Sequence, residues 1–247
     1  MRQETNQPSL APQTSHAPEA ALDRAVAHLG ASGLLILPTD TVYGIGAQAG
    51  DADAVATLLT VKGRGRQMPP PVLVASASQL TGVVAQVPAA ATALMRAFWP
   101  GALTLVLDAN PQLGWDLGET GGTVAVRVPD HPLALALLER TGPLAVTSAN
   151  HTGQPSATDA ASAAAAFPGQ VTRADASIIP AHTPASPSPG ILLLDGGPTP
   201  GPVPSTIVSF AGENAQAPVF LRDGVLSREE ILAVVSAHNP GGEEPVK

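Results

Sequence analysis

Short continuous apolar runs alternate along this chain with stretches whose apolar residues recur every three or four positions, and the two patterns predict different elements. Leu34–Leu37, Val72–Ala75, Leu103–Leu107, Thr123–Val128, Leu144–Thr147, Ile191–Leu194, Ser205–Phe210 and Val219–Leu221 read as strands, the continuous runs as strands buried on both faces. Between them lie helical patterns. Leu22, Val26 and Leu29 fall at i, i+4 and i+7 before Gly30 and Gly33. Asp51 or Asp53 caps a stretch with Val55, Leu58 and Leu59 on one face. Pro88 opens a helix to Phe98 and Pro132 one to Arg140. Asp159–Phe167 is alanine-dense, and Ser227 with Glu230 forms a capping box ahead of Ile231, Val234 and Val235. Alternating strands and helices predict an α/β fold. The close spacing of the last strands adds antiparallel pairs, so the sheet is expected to be mixed.

The ends follow another pattern. Residues 1–18 are polar and contain prolines, and are expected to form a disordered tail. Residues 180–190 are rich in proline and serine and read as a loop, and the final NPGGEEPVK reads as a tail. The expected organisation is a tail over 1–18, one catalytic domain over 19–225, and a C-terminal helix and tail over 226–247. No run of 18 apolar residues occurs, nor an apolar signal-peptide centre, so a soluble cytoplasmic protein is expected. The absence of cysteine excludes disulfides, thiolate metal sites and a cysteine nucleophile.

Charge sharpens the picture. The formal net charge is −8, which disfavours nucleic acid as a partner of the whole surface. From Ala54 to Leu107, however, there is no Asp or Glu, while Lys62, Arg64, Arg66 and Arg96 all lie there. Composition alone explains this in part; a local anion site explains it better.

Several segments could carry chemistry. Pro38–Gly46 (PTDTVYGIG) follows a buried strand, where α/β sheets bind ligands. Thr39, Thr41 and Tyr43 could meet a polar ligand there, or the threonines could simply bond the turn. Gly44-Ile-Gly46-Ala-Gln-Ala49 imitates a dinucleotide fingerprint, but the helix opens too late and no acid follows at the required spacing. Lys62-Gly63-Arg64 ends a helix, where cations are favourable anyway, yet the same residues suit phosphate clamping. Arg127 sits in an apolar strand and needs an anion, either a ligand carboxylate or an acid such as Asp130 or Asp195. Ser148 and Asn150 alternate at a strand end and could point one way towards a nucleotide or cap the next segment. His131, before a proline, reads as a turn residue. No Ser–His–Asp elbow, H-x-x-x-H pair or acidic metal cluster occurs, so no metal site is expected.

Taken together, PTDTVYGIG, KGR, FWPGALTLVL, VAVRVPDHP, TSAN, GQPS, PSTIV and LRDG resemble, in order, the YrdC-like family of threonylcarbamoyl-AMP synthases across about Ala20–Gly224. The resemblance implies a twisted mixed parallel and antiparallel sheet flanked by helices around a central cleft. It implies the reaction of L-threonine, bicarbonate or CO2, and ATP to threonylcarbamoyl-AMP and pyrophosphate, for the t6A modification of tRNA. It places Lys62 and Arg64 on the triphosphate as the catalytic pair, with Thr104, Ser148, Asn150, Ser156 and Arg222 around the nucleotide. Thr41 and Arg127 would contact threonine, with Ser205 and Tyr43 nearby. ATP would come with Mg²⁺ as a substrate, without a tightly bound organic cofactor. Downstream partners would be the tRNA-modifying transfer machinery, with no membrane and weak or absent direct nucleic-acid binding.

Two departures bear on this expectation. Ala75 or Ser76 stands where the family often has a histidine, which touches amino-acid selectivity. The chain is also shorter than members with an extra C-terminal domain. A non-catalytic relative that binds double-stranded RNA is the alternative from another class, and net acidity speaks against it. A carbamoyl-phosphate enzyme of hydrogenase maturation would sit in a much longer chain. The chemistry agrees with the cation pattern: two anions must meet, so the site must neutralise charge and fix geometry more than donate a proton.

Overall fold

The computed structural model describes residues 16–175 and 190–238. Within them the strands are β1 (Leu34–Leu37), β2 (Gly44–Gln48), β3 (Val72–Leu73), β4 (Leu103–Asp108), β5 (Thr123–Arg127), β6 (Leu144–Ser148), β7 (Val171–Arg173), β8 (Ile191–Leu193), β9 (Thr206–Ser209) and β10 (Val219–Arg222). They form one sheet in the order β10-β9-β4-β5-β3-β6-β2-β1-β8-β7. The pairs β1/β8, β7/β8, β3/β5 and β4/β9 are parallel and the remaining neighbours antiparallel. The mixed α/β architecture expected from the alternation of patterns is therefore the one observed.

Six α-helices occur among the described residues: α1 (His16–Gly30), α2 (Ala52–Val61), α3 (Ala89–Phe98), α4 (Pro132–Thr141), α5 (Ala160–Ala165) and α6 (Arg228–His238). Their starts follow from local chemistry. The Asp51 carboxylate accepts the Ala54 amide, and Asp159 with Ser162 forms a capping box for α5. Ser227 and Glu230 cap α6 reciprocally, the Ser227 amide donating to Glu230 at 2.8 Å and the Glu230 amide to the Ser227 hydroxyl at 3.2 Å.

Helices cover the sheet over three apolar clusters. One joins α2, α3 and α6 to β4 and β5, one places α1 and α4 over β1 and β6, and one sets α2 and α5 against β1, β2 and β8. Leu58, Leu94 and Leu138 are fully buried, each contributing about 1.5–3 kcal/mol. Ile231 and Val235 bring α6 into the first cluster, so this helix packs with the sheet rather than trailing from it.

Some boundaries differ from the sequence reading. Residues 16–18 belong to α1, not to a tail. β3 ends at Leu73, short of Ala75, because after Val74 the chain turns into a 3-10 helix over Ala77–Leu80. β2 and β7 were not expected. β2 hides in glycines that usually weaken strands, and here a close neighbour requires them. A Cβ on Gly46 would lie 2.7 Å from the Ala145 oxygen, and one on Gly44 2.5 Å from the Val146 side chain. The fingerprint-like glycines thus serve strand packing against β6. The expected tail over 1–15, the loop at 180–189 and the tail at 239–247 lie outside the described residues.

Candidate functional site

A cavity of about 620 Å³ opens on the sheet and collects residues from distant segments. Thr41 comes from the β1–β2 turn, Arg64 from the loop after α2, and Thr104 from β4. Arg127 ends β5, Ser148 ends β6, Ser205 precedes β9 and Arg222 ends β10. Seven of the residues singled out in the sequence therefore share one cavity: Thr41, Arg64, Thr104, Arg127, Ser148, Ser205 and Arg222.

The turn after α2 explains how one short segment serves two purposes. Gly63 has φ +62, its amide bonds the Thr60 oxygen, and the Arg64 amide bonds the Leu59 oxygen. This is a Schellman motif, which needs a left-handed residue at Gly63. The reversal leaves Lys62 buried while Arg64 lines the cavity. The Lys62 ammonium donates to the backbone oxygens of Ser148 and Asn150, and to Asn150 Oδ1 at 3.3 Å. Burial lowers its pKa to about 7, and the charge of Arg64 acts in the same sense. The carbonyl oxygens around Nζ favour the ammonium.

Lys62 thus ties the end of α2 to the end of β6. It does not line the large cavity. Asn150 and Ser156 do not line it either; they face a second cavity of about 290 Å³ together with His151, Gln154 and Asp159. Ser148 and Asn150, which could have pointed one way towards a nucleotide or capped the next segment, line different cavities because the chain turns after β6.

Arg127 is nearly enclosed, with its side chain 6% exposed. Its partner is Asp40 at 2.5 Å, rather than Asp130 or Asp195, and it also donates to Thr41 Oγ1 at 3.1 Å and to the Gly101 oxygen at 2.8 Å. Burial lowers its pKa, against the opposing pull of Asp40. Asp40 was missed in the sequence, although it sits in the same PTDT segment as Thr41.

Arg64 and Arg222 differ from Arg127. Arg222 donates to the backbone oxygen and hydroxyl of Ser205, and neither arginine has an ion pair among the described residues. The Nε of Arg64 is buried without a hydrogen-bond partner. Burial lowers the pKa of both, and for Arg222 the charges of Arg127 and Arg64 add to it. Two cations without carboxylate partners at one concave site are suited to a polyanion.

The threonines and Tyr43 complete the picture. Thr39 Oγ1 accepts the Thr41 and Val42 amides and donates to the Val42 oxygen at 2.7 Å, so this hydroxyl organises the turn. Thr104 Oγ1 and Ser205 Oγ share a hydrogen bond of 2.8 Å. Tyr43 is fully buried and does not reach the cavity; its hydroxyl donates to the Gly197 oxygen at 2.7 Å and accepts the Gly196 amide. Leu117 and Thr120, from the β4–β5 connection, also line the cavity and were missed. Their only sequence signal is the length and glycine content of that connection.

Comparison with known proteins adds to this geometry. A profile of the Sua5/YciO/YrdC family, described as telomere recombination, matches residues 28–224. A candidate threonylcarbamoyl-AMP synthase of Mycobacterium tuberculosis is 44% identical over 211 residues, covering 85% of this chain and 87% of that protein. The threonylcarbamoyl-AMP synthase of Bacillus subtilis is 40% identical over 215 residues, and the match covers 86% of this chain and 56% of that one. Among solved structures, Pyrococcus abyssi Sua5 complexed with L-threonine superposes with a TM-score of 0.70 at 35% identity, over 86% of this chain and 56% of that one. The chain thus spans little more than half the length of the Bacillus and Pyrococcus relatives.

Proposed function

The chain belongs to the Sua5/YciO/YrdC family, and from that premise we propose that it is a threonylcarbamoyl-AMP synthase. The observation that carries the reading is the shared cavity with two carboxylate-free arginines, Arg64 and Arg222, beside the paired Arg127. In this reaction L-threonine's amine adds to CO2 and loses a proton, giving a carbamate. A carbamate oxygen attacks the α-phosphorus of ATP, the bond to the bridging oxygen breaks, and pyrophosphate leaves. Carbamate and triphosphate repel one another, so fixed cations that need no reorganisation lower the barrier. The step is an adenylyl transfer, which would class the protein as a nucleotidyltransferase.

The residues divide accordingly. Arg64 and Arg222 bind the phosphates, with Thr104 and Ser148 as hydroxyl donors. Lys62 and Asn150 hold the β6 end in place, and Ser156 lies beside them in the smaller cavity. Thr41, Arg127 and Ser205 receive the amino acid, Arg127 facing its carboxylate, while Tyr43 supports the turn from behind. Mg²⁺ would arrive as MgATP: the described residues hold no group of three or more His, Cys, Asp or Glu able to cage an ion, and Asp40 is engaged by Arg127. The product would pass to the machinery that modifies tRNA at t6A. A cation cluster confined to a concavity of an acidic chain suits a small polyanion better than an RNA duplex.

The direct test is pyrophosphate release from ATP and bicarbonate, with and without L-threonine. Threonine-dependent release is expected; release indifferent to threonine, or none at all, overturns the proposal.

A further inference from the structure

β4 and β5 are antiparallel neighbours with Asp108 opposite Thr123, a geometry that a hairpin of about 2–5 residues closes. Residues 109–122 intervene instead, and their middle lies against the loop that carries Arg64. Asp116 takes both terminal nitrogens of Arg66, at 2.6 and 3.2 Å. The Glu119 amide donates to the Arg66 oxygen at 2.7 Å. The Trp115 ring stands over Gly50, where a Cβ would lie 3.2 Å from its Nε1. Gly118 has φ +107, and a Cβ there would lie 2.5 Å from the Arg66 backbone oxygen. Beside it, Leu117 is 3% exposed and lines the same cavity as Arg64, Gln67 and Met68.

Arg64 has no side-chain hydrogen bond or ion pair among the described residues, and its Nε is buried without a partner. The position of its guanidinium is therefore inherited from its loop. That loop is bonded on its outer side to the Asp116–Glu119 strap. We propose that this strap is a positioning element for the phosphate-binding arginine, and that Gly118 is the residue on which the close approach depends. A side chain at Gly118 meets backbone, which cannot rotate away as a flexible side chain would, and φ +107 disfavours any residue with a Cβ. Strap and loop must then separate, and Arg64 moves with the loop. The proposal rests on the ATP reading of the cavity.

The experiment measures the affinity of a non-hydrolysable MgATP analogue by calorimetry, and the KM for threonine by pyrophosphate release. For Gly118→Val, analogue affinity is expected to fall about tenfold, equivalent to about 1.4 kcal/mol, while the threonine KM stays within about twofold. A folded Gly118→Val that binds the analogue like the wild type, or that raises both constants equally, overturns the proposal. Should this variant not fold, Asp116→Ala supplies the same reading, since the Arg66–Asp116 pair is half exposed and its loss leaves the core untouched. At an exposed pair the expected loss is about two- to fivefold in analogue affinity, with an unchanged threonine KM. Unchanged analogue affinity counts against the strap. A wild-type chain that binds no analogue fails differently, overturning the ATP reading together with the strap.

Discussion

The two edges of the sheet each carry an arginine, and the protein treats them oppositely. On β7, Arg173 donates to Asp175 through Nε and Nη2, both at 3.0 Å, and to Asp195 at 2.9 Å. These carboxylates raise its pKa. On β10, Arg222 finds only the oxygens of Ser205, and burial with the charges of Arg127 and Arg64 lowers its pKa. A cation meant for structure is completed by the chain; one meant for a ligand is left incomplete. Arg127 stands between the two cases. It lines the cavity, yet Asp40 balances it, so its site offers a ligand directed donors with less net charge than Arg64 and Arg222 do.

The comparison breaks hardest at Asp40. Replacing it with alanine leaves a nearly enclosed guanidinium without its counter-charge, a loss of about 3–5 kcal/mol. A urea melt should show this directly, and a midpoint equal to that of the wild type would mean that the pair is not structural. The unpaired arginines should behave in the reverse manner. Arg64→Ala and Arg222→Ala are expected to slow pyrophosphate release by about 10²–10³-fold, or about 2.7–4 kcal/mol, the usual cost of removing a donor to developing charge. Their melting temperatures should hold or rise, since each removes a desolvated like charge. A fall in stability comparable to that of Asp40→Ala would erase the distinction between filled and unfilled cations.

What the sequence revealed follows the same line. The buried strands were legible because continuous apolar runs such as Leu34–Leu37 have no alternative environment, and the caps at Asp51 (as one of two candidates, with Asp53) and Ser227 because hydroxyl and carboxylate spacing is local. β2 was not legible: Gly44 and Gly46 are explained only by Ala145 and Val146, about a hundred residues away. Among site residues, every motif block except GQPS contributes to one cavity, but the individual directions of Lys62, Tyr43 and Asn150 did not follow from them. Lys62 turns inward because of the Schellman reversal at Gly63, and Tyr43 because the turn leading into β2 faces it to the loop at Gly196 and Gly197. Asp40 was overlooked because the partner of a buried arginine is a matter of tertiary contact, and the chain offered several acids.

Tyr43 sharpens the comparison from the filled side. Burial, more than any neighbouring charge, raises its pKa from 10.0 to about 12. The folded protein keeps the phenol proton over a range where the unfolded chain has lost it. The stabilisation is thus complete below pH 10 and falls away between about pH 10 and 12, by about 2 kcal/mol. Tyr43→Phe should lose about 1–3 kcal/mol at neutral pH, through the unpaired Gly197 oxygen and Gly196 amide, and should lack the alkaline decline. The chain has a single tyrosine, so the ultraviolet tyrosinate band of the folded protein reads this group alone. A titration near the free-phenol value would contradict the burial.

The smallest effect is expected at Arg173, and it closes the contrast with Arg222. The Arg173 side chain is 49% exposed, its partners Asp175 and Asp195 are 51% and 29% exposed, and solvent screens such pairs. Arg173→Ala should cost no more than about 1 kcal/mol and leave pyrophosphate release unchanged. Asp195 would keep the Gly197 amide at 2.9 Å and the Tyr43 hydroxyl, so the loop behind the cavity stays anchored. A large loss of activity in Arg173→Ala would show that the β7 edge communicates with the cavity through Asp195 and Tyr43. Pairing with carboxylates would then no longer separate structural cations from those that meet a ligand, and the assignment of Arg64 and Arg222 would have to stand on the cavity alone.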